Sequence, residues 1–153
     1  VRILVAGVGN IFLGDDGFGV EVAQRMTRRA QPAGVTVIDF GIRSYDLSMR
    51  LAEPWDAVIV VDAMQRGESP GTVYVVTPSV PAVPRSTPEA RDAHALDATS
   101  VLAWIGEHPH ARLVACEPAS LDPDLGLSPA VTSAIEPAIA AIDRLVAEVL
   151  AHA

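Results

Sequence analysis

A chain of 153 residues with 19 acidic and 11 basic side chains, formal charge −8, suits one domain spanning residues 1–153, and burial of about 70 % of its extended surface supplies a core without staples. Every basic residue is a scattered arginine, which argues against a nucleic-acid partner, and the absence of lysine removes Schiff-base, serine–lysine and P-loop chemistry. Cys116 is the single cysteine, so no internal disulfide forms. No apolar run reaches the ~20 residues of a membrane span and no leader-like start is seen, so a cytoplasmic protein without a membrane partner is expected.

Arg2 to Val8 reads as a buried strand closed by Gly9-Asn10, and Asp16-Gly17 opens a helix running to about Arg29, with Val20, Ala23, Met26 and Ala30 inward. Val35 to Phe40 is a second strand. Ser44 to Ala52 is a short helix, and Ala57 to Val61 a third strand ending at Asp62. Right-handed crossovers in this β-α-β-α-β order carry all three strand C-termini to one edge. The link Ala63 to Gly71 is too short and too rich in Gly and Pro for a crossover helix, so Thr72 to Thr77 is expected to run antiparallel. Pro78 to Arg91 is a Pro-rich loop delivering His94; Leu96 to His108 is helical and Arg112 to Cys116 a fifth strand. After a second long loop, Ser128-Pro129 starts a final helix whose apolar stripe runs from Val131 to Val149, with a kink expected at Pro137.

Three polar residues fall just past predicted strands, where open α/β sheets bind ligands: Asp16, Asp62 and His94. Two carboxylates brought close there repel by roughly 4 kcal/mol at an effective dielectric near 20, unless a cation or proton lies between them. A metal site is the simplest reading. Each residue also has a plainer use: Asp15 and Asp16 suit a helix start, Asp62 the following turn, and His94 a surface loop.

Other motifs are weaker. Gly7-Val8-Gly9 invites a dinucleotide fold, but Phe12 stands where the third Gly belongs and two carboxylates at the helix start repel a pyrophosphate. Gly67-Glu68-Ser69-Pro70-Gly71 has the letters of a nucleophile elbow, yet it lies between two strands and Pro70 lacks the oxyanion-hole amide. Cys116 with His94 makes a conceivable thiol dyad, against which stands the usual inertness of a cysteine in a buried strand.

Taken together, Gly9-Asn10, Asp15-Asp16-Gly17, Asp39-Phe40-Gly41-Ile42-Arg43, Val60-Val61-Asp62-Ala63, Asp92-Ala93-His94, Cys116-Glu117-Pro118 and Gly126-Leu127-Ser128-Pro129 resemble the [NiFe]-hydrogenase maturation endopeptidases in order and spacing. The resemblance spans nearly the whole chain. It implies an α/β fold, a phosphorylase/hydrolase-like three-layer α/β/α sandwich with a mixed five-stranded sheet in order 2-1-3-5-4 and strand 4 antiparallel. It also implies removal of a C-terminal extension from the hydrogenase large-subunit precursor after nickel insertion. The family's metal-binding acid, Asp and His carry over onto Asp16, Asp62 and His94, which serve as both metal and catalytic set. Nickel arrives with the precursor, and the same donors suit zinc or another divalent ion in the isolated protein. Gly41, Arg43 and Asp46 are then expected to touch substrate, Arg43 pairing with an acidic substrate group or with Asp46 itself. Ala115 departs from the family's more usual Gly. A nickel-binding checkpoint without peptidase activity is the non-enzymatic alternative. A peptidyl-tRNA hydrolase fits less well, since the chain lacks a basic face and its earliest histidine is His94.

Overall fold

The computed structural model describes residues 1–78, 105, 106, 108 and 110–153. Apart from Pro78, Ile105, Gly106 and His108, the predicted Pro78–Arg91 loop, His94 and the predicted Leu96–His108 helix lie outside the described residues. Five strands form the sheet: β1 (Ile3–Val8), β2 (Val35–Gly41), β3 (Ala57–Ala63), β4 (Val73–Val76) and β5 (Ala111–Cys116). Their order is β2-β1-β3-β5-β4, with β4 antiparallel to β5 and the other neighbours parallel.

Helices cover both faces. α1 (Phe18–Thr27) and α3 (Pro129–Ala151) bury Phe18, Val22, Met26, Ile135 and Ile142 against Ile3, Val5, Ile59 and Val114. On the opposite face α2 (Ser44–Leu51) presents Leu47 and Leu51 to Leu4, Val8, Val58 and Leu113. Each large apolar side chain so enclosed contributes about 1.5–3 kcal/mol. β1, buried on both faces, accordingly reads as an unbroken apolar run. The chain steps from β1 outward to β2 through α1, then back past β1 to β3 through α2. Right-handed crossovers in opposite directions put these two helices on opposite faces.

Several boundaries differ from the sequence expectation. A 3₁₀ turn, Gly14–Gly17, precedes α1, which ends at Thr27, so Ala30 lies exposed beyond it. Phe18 and Val22 join the inner face instead. β3 runs on through Asp62 to Ala63. α3 continues through Pro137 as one helix, its start capped by Ser128, whose hydroxyl accepts the Val131 N–H at 3.4 Å.

The fit of α1 depends on missing side chains. A Cβ on Gly19 would lie 2.1 Å from the Val61 carbonyl oxygen and 2.4 Å from that of Val8, so helix backbone rests directly on the ends of β3 and β1. Gly7, on the strand side, has the same constraint against the Gly19 carbonyl at 2.3 Å.

Asp15 does not cap α1. Its carboxylate, 1 % exposed, reaches across to the loop before α3 and accepts the N–H of Ala119 at 2.8 Å, of Ser120 at 3.2 Å and of Ser128 at 2.6 Å, plus the Ser128 hydroxyl at 2.9 Å. Burial pushes this carboxyl up, but those donors outweigh it and hold it below its ordinary value. The charge also sits at the positive end of α3. Glu117 latches the other side of the same loop. It accepts the Tyr74 hydroxyl at 2.5 Å and the N–H groups of Arg66 and Gly67 at 2.8 and 3.0 Å, and the Tyr74 bond leads in holding it below the carboxylate range. Tyr74 is in turn pushed up to about 12 by burial and by Glu117.

Two stability outcomes follow from these contacts. Gly19→Ala is expected to cost about 1–3 kcal/mol through overpacking against strand backbone; a thermal melt should then fall by about 2–4 °C per kcal/mol, and an unchanged melt would refute the close docking. Asp15→Asn replaces an acceptor of four bonds by a group with one acceptor oxygen and is expected to cost roughly 2–4 kcal/mol at neutral pH. Because the folded-state pKa of Asp15 is lowered, its contribution is complete above the unfolded value and fades as pH drops through the folded one. The gap between wild type and Asp15→Asn should therefore narrow in acid melts, and a gap that widened there would contradict the assignment.

Candidate functional site

In the order β2-β1-β3-β5-β4, the chain leaves β1 toward one side and returns to β3 on the other, so the crevice at the C-terminal ends of β1 and β3 is the topological switch point. Asp16 lies on the turn that follows β1, and Asp62 is the penultimate residue of β3. Gly9 stands between them. At φ +145°, it has a backbone that few L side chains adopt, and a Cβ there would fall 1.9 Å from the Asp16 carbonyl oxygen and 3.8 Å from Asp62 Oδ1. Gly9 thus packs against the Asp16 backbone and lies near the Asp62 carboxylate at the sheet edge.

Their environments differ. Asp16 Oδ2 accepts the Asn10 N–H at 2.7 Å, and burial pushes its carboxyl above the ordinary value against that bond. The shift is opposite in sign to that of Asp15, one residue away. Asp62 is 2 % exposed, and its Oδ1 accepts the N–H of Ala63 at 2.7 Å. His94, the third predicted ligand, lies outside the described residues. Among the described residues no group of three His, Cys, Asp or Glu side chains gathers at metal-binding distance.

The predicted substrate contacts cluster on the next strand end. β2 slips against β1 so that Gly7 pairs Asp39 and Val8 pairs Gly41, and the Gly41 carbonyl accepts the Gly9 N–H at 3.0 Å. Gly41, at φ +55°, turns the chain toward α2. Arg43 folds back over this corner. Its guanidinium donates to the Phe40 carbonyl at 3.1 Å, to the Asp39 carbonyl and, at 3.4 Å, to Asp46 Oδ2. Of the two expected pairings of Arg43, the one with Asp46 is present. A groove of about 260 Å³ runs between the Gly9–Phe12 and Asp39–Arg43 segments and shares Gly9 with the acidic pair. A larger depression of about 660 Å³, lined by Trp55, Ile59, Arg112 and Val149, opens at the opposite end of the sheet, away from all of these residues.

The competing motifs lose support. Cys116 is fully buried, and burial followed by the Asp15 and Glu117 charges pushes its thiol up to about 11, so it is no nucleophile near neutral pH. Ser69 sits in the turn between β3 and β4, its carbonyl bonded to Thr72, with no helix following. Gly19 shapes the surroundings without any chemistry-bearing motif to single it out, and Glu117, part of the Cys116-Glu117-Pro118 motif, does so as a latch that the motif alone does not reveal. The only local sign of Gly19 is a glycine in the first helical turn after a Gly-x-Gly strand end.

The HycI family, described as hydrogenase maturation protease, matches residues 20–145 of this chain. The Hydrogenase 2 maturation protease of Escherichia coli (strain K12) is 35 % identical over 143 residues, covering 91 % of this chain and 87 % of the relative. The hydrogenase expression/formation protein HupD of Bradyrhizobium diazoefficiens is 36 % identical over 155 residues, covering 96 % and 79 %. Among solved structures, the hydrogenase maturating endopeptidase HybD from E. coli matches with a TM-score of 0.74 at 33 % identity, over 97 % of this chain and 93 % of that one. HycI from Thermococcus kodakarensis KOD1 matches at 0.72 and 26 % identity, over 94 % and 91 %. The family match, these relatives and the shared sheet order agree, and the chain belongs to the hydrogenase maturation proteases, a family of endopeptidases.

Proposed function

We propose that this endopeptidase removes the C-terminal extension of a [NiFe]-hydrogenase large-subunit precursor after nickel insertion, and that it reads the inserted nickel through Asp16, Asp62 and His94. The observation that carries this reading is that the Asp16 backbone and the Asp62 carboxylate both lie beside Gly9 at the switch point of the sheet. Carboxylate and imidazole donors suit a borderline divalent ion, nickel on the precursor or zinc in the isolated protein. Such an ion supplies polarisation of the scissile carbonyl or of an attacking water. Asp16, the less buried of the two acids, with the Asn10 amide donating to its Oδ2, is the carboxylate suited to take up a proton at Oδ1. A nickel checkpoint that binds the same precursor without cutting it is the rival, and product analysis separates the two.

Purified protein incubated with nickel-loaded and nickel-free precursor should release a C-terminal peptide, seen by intact mass, from the loaded form alone. Equal trimming of both forms would sink nickel recognition, and no trimming of either would sink the peptidase assignment. Asp16→Ala and His94→Ala should melt like wild type yet trim slower by on the order of 10²-fold or more. Wild-type rates in either variant would remove that residue from the site. Arg43→Ala should retain the fold and raise the KM for precursor, whereas an unchanged KM would confine Arg43 to holding the Asp39–Asp46 corner.

A further inference from the structure

Eight large apolar side chains are exposed among the described residues; Ile11, Phe12 and Ile42 line the groove beside the acidic pair, and Leu125, Tyr45 and Met49 stand on the segments that adjoin it. Ile11, Phe12 and Leu125 form one bank. Phe12 is 63 % and Leu125 69 % exposed, and the Asp124 N–H donates to the Phe12 carbonyl at 3.0 Å, which fixes the two segments side by side. Ile42, Tyr45 and Met49 form the other, with Tyr45, 74 % exposed, and Met49 one turn apart on the outer side of α2, away from Leu47 and Leu51. Scattered exposed apolar residues are ordinary; a set gathered around one groove marks an interaction surface.

The surrounding charge states what kind of partner fits. Asp39, Asp122 and Asp124 stand on these same segments. The nearby cations are engaged within the chain: Arg43 with Asp46 and the Phe40 carbonyl, Arg50 with Glu53 at 2.7 Å. An apolar surface with an acidic fringe on a chain of charge −8 is complementary to an apolar patch framed by Lys and Arg.

We propose that the two banks are a docking platform for the folded body of the protein substrate, which presents such a basic-framed apolar patch beside its scissile segment, while that segment enters the groove toward Asp16 and Asp62. Aromatic and methionine side chains suit this role, because they bury large area and adapt to a partner's relief. The identity of the partner rests on the peptidase reading above; the platform itself rests on exposure and charge. It separates affinity, set on the banks, from cutting, set at the acidic pair.

The test uses full-length protein and nickel-loaded, full-length large-subunit precursor. The double variant Tyr45→Ser/Met49→Ser and the single variant Leu125→Ser should melt like wild type, bind precursor roughly tenfold more weakly by biolayer interferometry, and raise KM by the same factor while kcat at saturation holds. Wild-type affinity should also fall as ionic strength rises. Wild-type KM and affinity in these variants, with trimming intact, would overturn the platform and leave the peptidase reading standing. Precursor binding that the variants weaken, without any trimming by wild type, would keep the platform and remove the peptidase. No binding by wild type would overturn the platform. A wild-type dimer that the double variant converts to monomer in mass photometry would assign the surface to a second copy of this chain and overturn the proposal equally.

Discussion

The site depends on bare backbone meeting bare backbone where α1 crosses the ends of β1 and β3. Gly19 lies against the Val8 and Val61 carbonyls, and Gly7 lies under Gly19, so the helix settles onto the sheet closer than any side chain would permit. That depth sets where the connecting turn can go. With α1 held so low, the segment from Gly9 to Gly17 folds tightly over the strand ends, and the Asp16 carbonyl oxygen occupies the space a Cβ on Gly9 would need. The turn that carries Asp16 is thereby laid over the strand end that carries Asp62.

Neighbouring acids in this turn stand in opposite electrostatic settings. Asp15 points into four donors from residues 119–128 and is held ionised. Asp16 points the other way, takes one amide and is pushed toward protonation by burial. A carboxylate saturated with donors has little left to offer a ligand, whereas a burdened one gains from a cation. Glu117 repeats the first pattern on the far side of the same loop, fastening the β3–β4 turn through Tyr74 and two backbone amides.

Much of the framework was legible from local signals. The apolar runs of β1 and β3 and the short Gly- and Pro-rich link before β4 give strand identity and the one antiparallel neighbour. Asp16 and Asp62 stand out because they fall just past predicted strands at the ligand edge, and the resemblance to hydrogenase maturation endopeptidases supplies the full strand order. What stayed hidden is non-local. Asp15 looks like a helix cap because its donors lie more than 100 residues along the chain, beyond any periodic pattern. Residues such as Phe12 and Tyr45 are silent for another reason, since apolar letters alone do not tell an enclosed side chain from one left facing water.

The bond from Ser128 to Asp15 has a consequence for how the molecule is made. A nascent chain that has released only its first half carries β1, α1 and the acidic turn but none of the amides that satisfy Asp15. Synthesis runs at about 5–20 residues per second, so that turn waits seconds or longer for its far partners to leave the ribosome. The acidic turn is therefore locked late in biogenesis, when the segment from Ala119 to Ser128 reaches it.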